Sequence, residues 1–486
     1  MGAATSTMNR VNDDKLAVRD SDGNYIATQL VEVDNITSSL RRLYVEAYLG
    51  VSPKETPKYW LIFQVSIPPI GWNTYFISKD SQKGLRFSFW ASEVDIPINQ
   101  SFLWYEASSG DAADGQASGA YIFRPDGAPP VPSSSSGVMP KHHAGPYRHA
   151  GQMSCKSEEN LPCGLPSPDD RSVIRVYKEK EHAEIEFTIG PIPTDDGTGK
   201  EVITRLMTNM VTNSTFYTDS NGRDFLKRVR DYRADWNLQV TQPVSGNYYP
   251  LNLGIYSTDG KSELSVLVDR GVGGSSIKDG EIEIMLHRRL LYDDSRGVAE
   301  ALDEQVCVNY ACEGLTVRGN YYLSVDQFGS GAHWRRTFGQ QIYSPLLLAF
   351  AHADEESWKS SHVMNATTMD HGYNLPPNVA IITLQDLHDG SVLLRLAHLY
   401  EAGEDVLNSR LSNVDLKKVF AGKTIKELRE TNLSANQDKS GMKRKKWRVA
   451  DDPGSSSAPI RGRPVDNTTL VVELGPMEIR TFLLKF

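Results

Sequence analysis

The chain places its apolar residues at every second position. From His182 to Ile189 it reads HAEIEFTI: Ala183, Ile185, Phe187 and Ile189 point one way, and Glu184, Glu186 and Thr188 the other. That period belongs to a strand with one buried face, because successive side chains of extended backbone leave on opposite sides. Similar runs occupy Lys58–Ile67, Leu85–Ser92, Gly119–Phe123, Glu263–Val268, Glu281–Leu286 and Asn320–Val325. Turn residues stand between them at Gly71, Asp126–Gly127, Asp259–Gly260, Asp279–Gly280 and Gly329. Many short strands with turns between them predict a mainly all-β fold, built as several packed antiparallel β-sandwich domains with a few short helices. Helical signal is sparse; Asn413–Glu430, with its Asx start, is expected to form one or two short helices broken at Gly422. The chain is expected to close with a hairpin, Thr469–Leu474 and Met477–Phe486 around Gly475–Pro476.

At 486 residues the chain is too long for one core, and two to four domains are expected. The formal charge of −9 argues against nucleic acid as a main partner. The basic run Lys443–Arg448 precedes DDPGSSS and reads as a solvated loop. No run of 18 apolar residues is present, so no membrane span is expected. The first residues lack an apolar core and do not read as a signal peptide, although Gly2 formally fits a myristoylation pattern. Against that stand six glycosylation sequons, at Asn35, Asn99, Asn213, Asn365, Asn432 and Asn467, which favour a secreted or vacuolar parent. Cys307 and Cys312 flank VNYA between two strand-like runs; a local disulfide across the turn fits an oxidising compartment, and two free thiols are the other reading.

Three groups of residues resemble chemistry. His352-Ala353-Asp354 is a two-ligand metal pattern, but a catalytic zinc needs three protein ligands, so a loop is the plainer reading. Asp293 and Asp294, with Arg288, Arg289 and Arg296 nearby, form either a tuned acid–base pair or an ion-pair network pinning a loop; neighbouring residues on a strand face opposite ways, which favours the network. Tyr248 and Tyr249, in GNYYP, suit sugar binding through an apolar ring face and a hydroxyl, or else sit in the core beside a turn.

Longer motifs carry a family resemblance. NYYPLNLGIY, EIEIMLHRRLLYDDSRG, SPLLLAFAH, VLLRLAHLYEAGED and TTLVVELGPMEIRTFLLKF resemble the C-terminal half of plant-type class II α-mannosidases, glycoside hydrolase family 38. The resemblance implies residues 1–130 as a first β domain, 172–400 as a central β-sandwich and 401–486 as a C-terminal β domain. It runs to Tyr121–Gly127 and resumes near Ser172. The stretch between, 131–171, is rich in Ser, Pro, Gly and His and reads as a disordered, frame-shifted or mis-spliced segment, in which Cys155, Cys163, His142, His143 and His149 carry no function. Trp334-Arg335-Arg336 and Thr218–Phe225 resemble family motifs read as structural.

The family implies a zinc-dependent retaining enzyme that removes terminal mannose from N-glycans in a vacuolar or extracellular setting, with two carboxylates across the bond. No counterpart of the nucleophile, the acid/base or the zinc ligands is found here, so no catalytic residue and no metal ligand is expected in this chain. The resemblance makes Tyr249, with Tyr248 beside it, the expected substrate contacts. Two functions follow: the β-rich half of an α-mannosidase, inactive alone, or a carbohydrate-binding or scaffold module docking on a catalytic half. Without that half an apolar face would meet solvent, so the chain alone is expected to aggregate.

Overall fold

The strand Glu281–Arg289 shows how alternation becomes architecture. Ile282, Ile284 and Leu286 enter the main core, while Glu281, Glu283 and Met285 take the opposite face. In a computed structural model, which describes residues 3–11, 16–53, 57–79, 98–111, 115–127, 130–132, 143–144, 149–154, 171–177, 180–443 and 460–486, the named strand pairings are antiparallel and the chain is mainly β. The expected strand Leu85–Ser92, Gly2, His142, Cys155, Cys163 and the basic run beyond Lys443 lie outside the described residues.

Two sheets form the central sandwich. Among the described residues, one has nine strands, in the order 143–144, 149–154, 171–176, 183–189, 317–327, 262–268, 254–258, 215–220 and 224–229. The facing sheet has six, in the order 249–251, 272–275, 281–289, 200–207, 99–106 and 131–132. Ile185, Phe187, Val266 and Tyr321 from the first meet Val202, Leu206, Ile282 and Ile284 from the second in one buried core. His149–Ser154 pairs with Arg171–Val176 next to the edge strand 143–144 of the nine-stranded sheet. Pairing of Asn99–Glu106 with Lys200–Met207 carries residues below 130 into the central sandwich.

A smaller sandwich follows. Val379–Asp386, Val392–His398, Ile479–Lys485 and Glu427–Thr431 form a four-stranded sheet, which faces the pair Ser412–Asp415 and Val471–Leu474 over Leu394, Leu396, Val414, Val472 and Phe482. The expected closing hairpin is not formed. Val471–Leu474 and Ile479–Lys485 lie in different sheets, because the Glu478 carboxylate accepts the Gly475 and Gly462 N–H groups and turns the chain through a corner. Of the one or two short helices expected within Asn413–Glu430, one forms, Leu416–Val419, and strands flank it.

Two longer helices carried weak signals. The first, α1, spans Asn35–Leu49, capped by the Asp34 carboxylate on the Thr37 N–H and ended by Gly50 in the left-handed conformation. The second, α2, spans Gly331–Ile342 and lays Trp334, Phe338 and Ile342 onto Leu253 and Leu267 of the nine-stranded sheet. Arg335 and Arg336 then reach away from that contact, Arg335 to Glu263 and Arg336 to Glu401 and Glu404, so α2 ties the two sandwiches together.

Candidate functional site

Asn247 shapes the first candidate. It is 2 % exposed, its Oδ1 accepts the Asp231 N–H, and its Nδ2 donates to Asp231 Oδ1 and Pro243 O. That clamp folds the segment 231–247 back on itself and presents Tyr248 and Tyr249 in opposite directions, as extended backbone requires. Tyr248 turns inward. Its ring meets Phe123 edge-on at 4.6 Å, and its hydroxyl donates to Glu283 Oε2 at 2.7 Å. The Tyr105 hydroxyl donates to the same oxygen at 3.0 Å, while Arg205 Nε donates to Glu283 Oε1 at 2.8 Å. Burial, then the Glu283 carboxylate, push the Tyr248 phenol well above its ordinary value, so it remains a neutral donor.

Tyr249 sits at the sheet edge, half-buried. Phe216 packs edge-on against its ring at 5.9 Å, and the Arg228 guanidinium covers a face at 4.1 Å. Arg228 is held by Thr218 Oγ1 at 2.9 Å. The Tyr249 hydroxyl makes no hydrogen bond among the described residues, which separates it from Tyr248, whose hydroxyl is spent on Glu283.

The second candidate lies along the same sheet face. Asp294 is 2 % exposed, with Oδ2 accepting the Tyr121 and Ile122 N–H groups at 2.6 and 2.9 Å and Oδ1 accepting Arg296 N–H at 3.0 Å. Burial would raise its carboxyl, but these N–H donors outweigh it and hold it below the usual carboxylate range. This explains why Gly119–Phe123 is a loop, not the expected strand: its backbone is taken by Asp294. A side chain at Gly119 would put a Cβ 2.6 Å from Asp294 Cβ, so the approach requires glycine. Asp293 bonds only locally, to Ser295 N–H. Arg288 is paired with Glu201 at 2.6 Å, Arg289 with Asp303 at 2.5 Å, and Arg296 donates to Gln116 Oε1 at 2.5 Å. The two aspartates share no proton and serve the loop.

In the His352–Asp354 pattern the aspartate has a structural task. The Asp354 carboxylate caps α3, Glu355–Ser361, by accepting the Ser357 N–H at 2.9 Å. Among the described residues no three His, Cys, Asp or Glu side chains are placed to hold a metal ion, so the donors here do not fit zinc. Cys307 and Cys312 are joined in a disulfide across the hairpin Gln305–Val308 and Ala311–Gly314. Of the sequon asparagines, Asn35, Asn99, Asn213, Asn365 and Asn467 are exposed and Asn432 is half-buried. No helix is long and apolar enough to cross a membrane.

Sequence reasoning passed over Glu283 and Glu201, both 0 % exposed. The one signal was their place: acids on strands whose alternate residues are apolar, read as solvent-facing until loops 116–125 and 242–248 cover that face.

A crystal structure of an alpha-mannosidase from Enterococcus faecalis V583 matches the whole chain with a TM-score of 0.58, over 55 % of its own length and at 12 % identity. At that identity the likeness is one of fold. Three family descriptions match in succession: the lysosomal alpha-mannosidase-like central domain over residues 26–77, the glycosyl hydrolases family 38 C-terminal domain over 80–296, and the family 38 C-terminal beta sandwich domain over 378–482. The chain belongs to glycoside hydrolase family 38 and carries its C-terminal domains. It is 54 % identical to an alpha-mannosidase of Canavalia ensiformis, over 98 % of this chain and 51 % of that protein. It is 36 % identical to the lysosomal alpha-mannosidase of Bos taurus, over 87 % of this chain and 43 % of that protein. The chain spans about half the length of the curated relatives it matches.

Proposed function

We propose that this chain serves as the β-rich, C-terminal part of an α-mannosidase that removes terminal α-mannose from N-glycans, with the catalytic carboxylates and the family's zinc supplied by residues outside it. The similarity to alpha-mannosidases over nearly the entire chain, at 54 % identity, carries this reading. The chain's own contribution is Tyr249. Its free hydroxyl, on a ring fixed by Phe216 and Arg228, suits a hydrogen bond to a sugar hydroxyl beside a stacked C–H face. Tyr248 supports it from behind through Glu283 and does not touch sugar. A vacuolar or extracellular setting agrees with the Cys307–Cys312 disulfide and with the exposure of five of the six sequon asparagines.

The second reading, a carbohydrate-binding or scaffold module docking on a catalytic half, draws support from one segment. Leu347, Leu348 and Phe350 are 96, 51 and 70 % exposed in an extended stretch after α2, which suits a large apolar partner surface. Co-expression with the N-terminal half of the Canavalia ensiformis relative separates the two. A stable complex that hydrolyses a chromogenic α-mannoside, with kcat/KM lowered about tenfold or more by Tyr249→Phe, supports the first. A complex without turnover supports the second. Absence of any complex contradicts both.

A further inference from the structure

Where α2 meets the hairpin turn of Thr215–Ser220 and Asp224–Val229, the surface sinks into a cleft of about 310 Å³, the lower end of the range for small-ligand sites. Arg223, Arg336, Asn252, Gln340 and Tyr343 line it with Leu399 of the smaller sandwich, and its lining includes two arginines and no acid.

The two arginines differ in how they are satisfied. Arg336, its side chain 3 % exposed, is paired with Glu401 at 2.8 Å and Glu404 at 2.9 Å and also donates to Arg223 O. Arg223 has no such partner. It donates once, from Nη2 to His398 O at 2.7 Å, and no carboxylate lies within ion-pair distance among the described residues. Burial, followed by the Arg336 charge, holds Arg223 below the usual arginine range, with the Asp224 carboxylate opposing them only in part. Arg223 is half-buried, and drawing a guanidinium partly out of water beside a second one is costly unless an opposite charge completes it.

The local chain is built to keep this geometry. Asp219 Oδ1 accepts the N–H groups of Asn252, Leu253 and Gly254 at 2.9, 2.8 and 2.9 Å, and Oδ2 accepts Gly222 N–H at 2.8 Å. The turn bearing Arg223 and the wall bearing Asn252 are thus pinned to one buried carboxylate, whose own charge is spent on backbone. Gly222 has a φ of +71° and no atom within 4 Å of a built Cβ, so the space beside Arg223 stays open.

We propose that this cleft binds a small oxyanion, a phosphate or carboxylate group, gripped by the Arg223 fork. Planar guanidinium matches either group through paired N–H donors. The site is separate from Tyr249 and does not depend on the mannosidase reading.

Calorimetric titration of the full 486-residue chain tests it, with orthophosphate, glucuronate and neutral methyl α-mannoside at matched ionic strength. Saturable one-to-one binding of phosphate points to a phosphoryl group and of glucuronate to a carboxylate; either is the expected result, with no binding of the mannoside. Arg223→Met is expected to weaken that binding at least tenfold. Arg223→Lys, which keeps the charge and loses the fork, is expected to weaken it severalfold and carries the comparison if the methionine variant does not fold. No saturable binding of either anion, equal binding of the mannoside, or unchanged affinity in the variants overturns the proposal.

Discussion

Tyr248 donates its hydroxyl proton to Glu283 at 2.7 Å, and that bond fixes the sugar-site candidate from the inside. Glu283 is 0 % exposed and answers Arg205 on its other oxygen. The loop leading into the Tyr249 strand is therefore fastened, through Tyr248, to a buried ion pair in the middle of the six-stranded sheet.

Breaking that fastening has a stated cost. Glu283→Ala leaves Arg205 with only Glu281, at 3.3 Å, and is expected to destabilise the chain by about 3–5 kcal/mol. Tyr248→Phe removes one charged hydrogen bond and is expected to cost about 1–3 kcal/mol. The two are expected to be non-additive, since they share one carboxylate. Urea unfolding of the single and double variants checks this; a loss under about 1 kcal/mol for Glu283→Ala would show the network to be ornamental.

Acid sensitivity centres on His182. Burial, with Lys180 beside it, pushes its pKa down to about 4, and the Trp334 indole N–H donates to its Nδ1 at 3.2 Å. A histidine whose folded value lies below its unfolded value of about 6.5 takes up its proton more readily when unfolded. Stability from this group is present above pH 6.5 and is lost as pH falls towards 4, by up to about 1.4 kcal/mol per pH unit. His287 and His398 shift the same way, both chiefly through burial. Denaturation midpoints against pH for wild type and His182→Gln should converge across that window, the wild type falling more steeply. Parallel curves would contradict this assignment.

The exposed stretch after α2 sets solution behaviour. Replacing Leu347, Leu348 and Phe350 with Ser is expected to leave the melting temperature within about 2 °C, because these side chains contribute little burial, and to shift the chain from aggregate to monomer. Light scattering reads the outcome. A monodisperse wild-type chain would remove the case for a partner surface there.

How much of this was legible in the sequence depended on whether neighbours were local. Ala183–Ile189 and Glu281–Arg289 were plain, since a two-residue period survives any tertiary context. Gly119–Phe123 misled because alternation says nothing about where backbone N–H groups go, and Asp294, more than 170 residues later, took two of them. The closing hairpin failed for the same reason: Gly475–Pro476 is a good turn, but Glu478 makes it a corner between sheets. α1 was missed although Asp34 and Gly50 are ordinary helix ends, because its apolar stripe is thin. Tyr248 and Tyr249 were found together; only the distant Glu283 and Arg228 tell them apart.

The proposed function puts the catalytic carboxylates and the zinc of the family outside this chain. The most direct test is hydrolysis of a chromogenic α-mannoside by the purified 486-residue chain with added zinc, metal content measured on the same sample. The expected result is no turnover above buffer and less than about one-tenth of a zinc ion retained per chain after dialysis, since among the described residues no three His, Cys, Asp or Glu side chains are placed to hold a metal. Zinc-dependent turnover, abolished by altering His352 or Asp354, would contradict it.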